Sequence, residues 1–303
     1  MSGGATYCDW IAVDWGTTRL RAWAMRRNQV VAEARSDNGM NSLGKSEFEG
    51  VLLDLIEPWL GVGLTPVVAC GMVGARQGWT EAPYRAVPCS PLAGSGVDVD
   101  TKDTRIAVTV LPGLKQNGPA DVMRGEETQM GGFLFENPGF DGVLCLPGTH
   151  TKWAEISACE VVSFRSFMTG EMFDLMSNAS VLRHSVGAGW DDDAFAEAVS
   201  ETLSRPESVA AKLFAIRADT LLNDISKATA AARLSGLLIG AELAATRPYW
   251  LGREIAVLGA KALSEHYIAA LKLQGVTAHY AEADAMTRAG LYSVHQTLSE
   301  AAE

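Results

Sequence analysis

The chain has 303 residues, of which 48% are hydrophobic and 20% charged, and its formal net charge is −11. That length is comfortable for two domains and long for a single core, and the composition is ordinary for a soluble globular protein. The acidic balance argues against nucleic acid as a partner, since no basic excess exists to neutralise phosphates; a small anionic ligand needs only a few local cations and stays open.

In chain order, residues 11–14 and 20–25 read as strands joined by a turn over 15–19 with one glycine, and 29–34 as the third strand of a meander. Residues 37–43 are loop-like. Residues 45–60 have helical spacing, with Phe48, Leu52, Leu55 and Ile56 on one face. A short buried-type strand over 66–70 ends in Gly71, and another over 105–111 ends at Pro112 and Gly113. Near Gly118 the pattern restarts, with a helix over 121–135, a strand over 142–146, a turn over 147–151, strands over 152–156 and 161–166, and a helix over 171–178. From Asp191 the chain is largely helical and rich in Ala and Leu, broken by strands over 253–258 and 276–280. Both halves open with strand, Gly-Thr turn, strand, strand and helix, so one α/β module is used twice. The cluster of Pro112, Gly113, Asn117, Gly118 and Pro119 puts the boundary between a first domain, 1–117, and a second, 118–303.

The opening MSGGATYCDW has neither a basic n-region nor an apolar h-region, so no signal peptide is expected. No run reaches the roughly 18 uninterrupted apolar residues of a spanning helix. Five widely spaced cysteines without a C-x-x-C suit a reducing cytoplasm and offer no disulfide or zinc framework. A cytoplasmic protein with no membrane partner is the expectation.

In DWGTTRLRAW, the backbone N–H groups of a Gly-containing turn form a concavity for phosphate oxygens. The Thr17 and Thr18 hydroxyls add donors beside Gly16, and Asp14 at the strand end is placed to hold Mg2+ directly or through water. The same residue types also suit an ordinary hairpin turn. A second hydroxyl-rich turn, LPGTHTKW, carries Gly148, Thr149 and Thr151, and two such turns can clasp the phosphates of one nucleotide. His150 and Lys152 stand there as further phosphate contacts, Lys152 being equally readable as a solvated strand lysine.

Between the turns, DVMRGEETQMGGF puts Asp121 and Glu126 on the expected helix. Phosphoryl transfer to an alcohol needs a carboxylate to orient the hydroxyl and take its proton. Both acids are candidates, although acids at a helix start are also favoured by the helix dipole alone. CGMVGARQGW supplies Gly74, Arg76 and Gln77 for a small polar substrate, with Arg76 able to grip a carboxylate bidentately. FMTGEMFDLM offers Thr169 at a helix start, as a cap or a substrate contact. Gly236 in ARLSGLLIGAEL permits close helix or ligand approach. Gly259 in IAVLGAKAL precedes a helix N-terminus that can seat adenine or ribose.

The order of these motifs resembles the actin and hexokinase superfamily, and within it the 2-dehydro-3-deoxygalactonokinase family. DWGTTRLRAW is the superfamily-level motif; GMVGARQGW, MRGEETQ, LPGTHTKW and SFMTGEMF in combination, with RLSGLLIGAEL, carry the family. The resemblance implies an α/β fold of two ribonuclease-H-like, actin-like ATPase domains flanking a nucleotide cleft. It implies ATP-dependent phosphorylation of the terminal hydroxyl of 2-dehydro-3-deoxy-D-galactonate to the 6-phosphate, with Mg2+. Related glycerol-kinase-like enzymes carry a Gly-Asp on a helix before the second Gly-Thr turn as the base. Gly125 and Glu126 stand at that place, the Glu adding one methylene of reach, and Asp121 and Glu127 stay open as alternatives.

On this reading Gly16, Thr17, Thr18, Gly148, Thr149, Thr151 and Lys152, with Gly236 and Gly259, bind ATP. Arg76 meets the sugar acid, with Gly74, Gln77, Thr169 and Arg124 or Arg19 as helpers. The partners expected are a small-molecule sugar acid and ATP, and a homodimer is compatible with the sequence. The alternatives are a kinase of another sugar or sugar acid, or an ATP-gated binding or chaperone-like protein of the same fold.

Overall fold

A computed structural model describes residues 7–94 and 96–302, which divide into two compact units. Unit 1 takes the chain up to Phe140, Ser157–Ser163 and the stretch from Ala283; unit 2 takes Asp141–Ile156 and Phe164–Glu282.

In unit 1, β1 (Trp10–Trp15), β2 (Leu20–Arg26) and β3 (Gln29–Ser36) form an antiparallel meander. The chain then passes through α1 (Phe48–Ile56) into β4 (Thr65–Gly71), which runs parallel to β1. Two-residue strands β5 (Arg85–Ala86) and β6 (Val97–Asp98) precede β7 (Ile106–Val110), and β8 (Leu114–Asn117) and β9 (Ala120–Met123) form a hairpin. The main sheet has the order β3-β2-β1-β4-β7-β6, and β5-β8-β9 make a separate small sheet. Every residue of β1 is buried, so its sequence is a near-continuous apolar run. Alternation sends Ile11, Val13 and Trp15 to one face, where Phe48, Leu52 and Ile56 of α1 meet them. It sends Trp10 and Ala12 to the other, against Leu291 and Val294 of the C-terminal helix, Ala283–Ala302. The helix expected over 45–60 is shorter: Glu57–Trp59 is a 3-10 turn containing Pro58, which has no N–H to continue the α ladder.

Two expectations are corrected here. The segment 121–135 is not one helix: Asp121 lies on β9, opposite Gln116 in the hairpin, and α2 (Glu126–Glu136) starts only after Gly125. Of the Pro and Gly cluster read as a domain boundary, Gly118 and Pro119 make the turn of the β8–β9 hairpin and Pro112 and Gly113 lead into β8, and α2 belongs to unit 1 rather than to a second domain from 118. The physical reason is helix packing. A Cβ on Gly132 of α2 would collide with the Met286 carbonyl, and one on Gly290 with that of Thr128, so the two helix backbones touch.

Unit 2 repeats the module. Its sheet has the order β12-β11-β10-β13-β14, built from β10 (Gly142–Leu146), β11 (Thr151–Ser157), β12 (Glu160–Phe167), β13 (Ile255–Gly259) and β14 (Ala278–Glu282). β10 and β11 are antiparallel, whereas β10, β13 and β14 run parallel. Third, second, first, then two parallel strands is also the order of β3-β2-β1-β4-β7. The helices are α3 (Thr169–Asn178), α4 (Asp192–Ser204), α5 (Val209–Leu222), α6 (Lys227–Ala245), the short α7 (Arg247–Trp250) and α8 (Lys261–Lys272). Among the described residues α6 alone has the length and composition of a membrane span, but its apolar side chains fill the cores of unit 2.

Candidate active site

The first Gly-Thr turn closes the β1–β2 hairpin, with Gly16 N–H donating to the Arg19 carbonyl at 2.8 Å. Its carbonyls are held from behind, Gly16 by Met40 N–H and Thr17 by Asn41 N–H, both at 3.0 Å. Gly39 lies so close to the Thr18 backbone that no Cβ fits. With the carbonyls occupied, the Thr17 and Thr18 side chains stay exposed.

Asp14, one residue before the end of β1, lies directly opposite Arg21 of β2, which donates to its carboxylate and also to Asp284 in the first turn of the C-terminal helix. Burial pushes the Asp14 carboxyl above its ordinary range, Arg21 pulls it back, and the charges of Asp284 and Glu126 push it up again. Two left-handed glycines bring the start of α2 to this point. Gly71 (φ +91°) leaves 3.2 Å between its Cβ position and Asp14 Oδ1, and the Cβ position of Gly125 (φ +105°) is 3.6 Å from the Gly71 Cα. An L side chain is strained at either φ, and at Gly71 its Cβ would also crowd the Trp15 carbonyl at 2.7 Å.

The first turn of α2 uses its acids differently. Glu126 is half-buried and its Oε2 accepts from Arg124 N–H at 3.0 Å. Glu127 is wholly buried, accepting from Gly125 N–H at 2.7 Å and from Thr128 Oγ1 at 3.1 Å. Burial raises the Glu127 carboxyl to about 8, with the neighbouring Glu126 charge adding to it. Arg124 lies 4.3 Å over the Tyr84 ring and donates from Nη2 to the Ala82 carbonyl at 2.8 Å, while Nε and Nη1 have no acceptor among the described residues. Gly74, expected at the substrate, is buried and makes room for this guanidinium: a Cβ there would sit 2.7 Å from Nη1. Arg76 and Gln77 are exposed just beyond it, and Arg19 is exposed beside Asp37.

In unit 2 the second turn is braced in the same manner. Gly170 packs on the Gly148 carbonyl where no Cβ fits, and Glu171 N–H donates to the Thr149 carbonyl at 2.9 Å. Thr149 is exposed, as is His150, which pairs with Glu171 at 2.7 Å. The turn borders a cavity of about 420 Å³ whose walls include Phe173, Trp190, Leu238 and His266. Trp190 and His266 stack with ring centroids 3.8 Å apart, and burial lowers the His266 pKa. Behind the turn lies the carboxylate of Glu242, which accepts from Trp153, Thr169 and Tyr267. Burial lifts it to about 7 against the pull of those three donors.

Several site expectations are redirected by this geometry. Thr151 is wholly buried and bonded to the Tyr267 hydroxyl at 2.8 Å, so it anchors the turn from inside. Lys152 is 4% exposed rather than a solvated strand lysine, its Nζ reaching the His150 carbonyl at 3.5 Å. Gly236 faces α4, where a Cβ would press on Ala198 and the Phe195 carbonyl; it is a helix-packing residue, and its neighbour Ser235 lines the cavity. Gly259 is buried against Ser264, and the cavity is lined instead by the helix that follows it. Thr169, expected at the sugar, lines the same cavity as Gly148 and Thr149. Asp121 is turned into its hairpin, accepting from Val122 N–H. Sequence reasoning missed Trp190, His266, Glu242 and the two bracing glycines. Trp190 and His266 are isolated in sequence and carry no motif, whereas Glu242 and Gly170 stand inside segments already singled out, ARLSGLLIGAEL and FMTGEMFDLM.

The fold is that of the actin-like ATPases, two ribonuclease-H-like units each presenting a Gly-Thr turn between its first two strands. A solved structure of component A of (R)-2-hydroxyglutaryl-CoA dehydratase from Acidaminococcus fermentans shares it at 12% identity, with a TM-score of 0.53 and 97% and 99% of the two chains covered. Within that class the chain belongs to the 2-keto-3-deoxy-galactonokinase family, whose model matches residues 14–294. It is 37% identical to "Probable 2-dehydro-3-deoxygalactonokinase DgoK1" of Rhizobium meliloti over 92% of this chain and 94% of that one. It is 32% identical to the 2-dehydro-3-deoxygalactonokinase of Escherichia coli over 94% and 97%. A crystal structure from Sinorhizobium meliloti, of a protein designated by the same activity, matches at 35% identity with a TM-score of 0.88, covering 95% of this chain and 99% of that one.

Proposed function

We propose that this protein transfers the γ-phosphoryl group of ATP to the terminal hydroxyl of 2-dehydro-3-deoxy-D-galactonate, giving the 6-phosphate. The observation that carries this reading is the half-buried Glu126 at the start of α2, held beside Asp14 by Gly71 and Gly125. Family membership supports the substrate. In unit 1, Thr17 and Thr18, on the turn that Gly16 closes, offer donors to the transferred phosphate, and the Glu126 carboxylate orients the sugar hydroxyl and takes its proton as the oxygen attacks in line. Arg124, stacked and tethered with two nitrogens lacking an acceptor, is the better organised cation for the sugar-acid carboxylate. Arg76, Gln77 and Arg19 are the exposed helpers. In unit 2, the cavity takes adenosine and the Gly148–Thr149 pair offers donors to its phosphates.

The residues fit Mg2+. The ion prefers carboxylate oxygen and is commonly held by one or two carboxylates together with substrate phosphates. Asp14, with Asp284 sharing Arg21, is such a donor. When bound, the ion supplies neutralisation of phosphate charge.

A panel of sugar acids and neutral sugars, assayed with ATP and Mg2+ by coupled ADP detection, tests the reading. Turnover is expected with the 2-dehydro-3-deoxy sugar acid and not with the matching neutral sugars. ATP consumption indifferent to the sugar would leave an ATP-gated protein of the same fold; preference for a different sugar would reassign the substrate.

A further inference from the structure

Glu242 has no part in the roles above, yet both oxygens of its buried carboxylate are engaged. It is 3% exposed, and three neutral donors converge on it: Trp153 Nε1 at 2.6 Å on one oxygen, Thr169 Oγ1 and the Tyr267 hydroxyl at 2.9 Å on the other. The donors come from β11, the first turn of α3, and α8. Burying a carboxylate costs several kcal/mol, and a well-packed apolar group of equal volume is often as stabilising, so the nest is poorly explained by stability alone.

Its connections all lead to one place. From Thr169 the next two residues brace the second Gly-Thr turn, Gly170 against the Gly148 carbonyl and Glu171 N–H on the Thr149 carbonyl at 2.9 Å. From Tyr267 the same hydroxyl reaches Thr151 Oγ1 at 2.8 Å, at the other end of the turn. Gly236 and Gly240 meanwhile seat α6 against α4, fixing the height from which Glu242 reaches the turn.

We propose that Glu242 is a positioning residue for the second Gly-Thr turn, its carboxylate tying Gly148 and Thr149 through the start of α3 and Thr151 through Tyr267, and thereby setting the turn's grip on nucleotide phosphates. The inference rests on the reading of that turn as a phosphate site. It predicts an effect that scales with phosphates on the ligand and spares the nucleoside.

The test titrates full-length wild type, Glu242→Gln and Tyr267→Phe with adenosine, AMP, ADP and a non-hydrolysable ATP analogue, followed by intrinsic tryptophan fluorescence, since Trp190 lines the cavity. Gln keeps the shape but replaces one acceptor oxygen with an amide nitrogen; Phe removes the hydroxyl that joins Glu242 to Thr151 and keeps the arm through Thr169. Loss of one hydrogen bond to a charged group predicts about a tenfold fall in affinity for ADP and the ATP analogue in Glu242→Gln. Tyr267→Phe, which keeps the arm through Thr169, should lose about threefold, and adenosine should stay within about twofold in both. Equal weakening of adenosine and the ATP analogue would mean a merely structural role and overturn the proposal, as would an unchanged ATP-analogue affinity in both variants. If wild type binds adenosine and the ATP analogue equally well, it is the phosphate reading of the turn that falls, and the proposal with it. Should Glu242→Gln fail to fold, Tyr267→Phe gives the same discrimination.

Discussion

Glu126 and Glu127 are adjacent in sequence and meet opposite surroundings, and that contrast assigns them different work. Glu126 reaches the half-buried side near Asp14, where a carboxylate can accept a proton and return it to solvent. Replacing it with Gln keeps the volume and removes the base, so kcat should fall by roughly 10²–10⁴ with little change in the KM for ATP; steady-state kinetics with both substrates varied checks this, and near-normal kcat would clear Glu126 of the role. Glu127 is wholly buried, and its carboxyl is raised from an ordinary value of 4.5 to about 8. The folded state therefore holds a proton that the unfolded chain has released between those values. The corresponding stability is complete below about pH 4.5, declines as pH rises, and is lost by about pH 8. Glu127→Gln cannot ionise, so its unfolding free energy should fall less than that of wild type between pH 5 and 8, by on the order of a few kcal/mol. Urea unfolding at a series of pH values measures it; parallel curves for the two proteins would show that Glu127 is not held neutral.

At the scale of elements, close backbone approach decides what a glycine is worth. Gly132 of α2 leaves no space for a Cβ beside the Met286 carbonyl, whereas Gly50 of α1 is exposed with nothing nearby. Alanine should therefore have opposite effects in the two helices. Gly132→Ala forces α2 from the C-terminal helix at a cost of roughly 1–3 kcal/mol, and Gly50→Ala gains about 0.5–1 kcal/mol from helix propensity. Denaturant midpoints of the two variants against wild type give both signs in one experiment. The same contact marks where the sequence stops being readable. The strand, turn and strand units around Gly16 and Gly148 were legible because short apolar runs and a glycine turn are local signals. The ownership of α2 was not, because its partner helix lies some 150 residues further along and Gly132 and Gly290 look like ordinary helix-weakening glycines until they are seen together. The strands β5, β8 and β9 escaped for another reason: they are two to four residues long and carry no apolar alternation. Asp121 was assigned to a helix on the strength of that miss. At the site, the hydroxyl-bearing turns could be read directly, but what braces them could not, since Gly39 and Gly170 act on residues far from them in sequence.

On the whole molecule, a net charge of −11 coexists with two anionic ligands, so recognition must be local. On the proposed reading that recognition divides by unit: Arg124 and the first turn belong to unit 1, and the apolar cavity with the second turn belongs to unit 2. Each unit has its own core, and a ligand stabilises the segments it touches before it stabilises anything else. An ATP analogue at 100 times its Kd adds about 2.7 kcal/mol to the state that binds it. In hydrogen exchange the adenosine moiety alone should slow amides around 146–151, 169–173, 235–239 and 262–267, leaving 71–77 and 124–128 untouched. The sugar acid alone should do the reverse. Protection by adenosine falling on 124–128, or by the sugar acid on the wall formed by Trp190 and His266, would mean that the two sites have been assigned to the wrong units, because every residue lining that cavity belongs to unit 2.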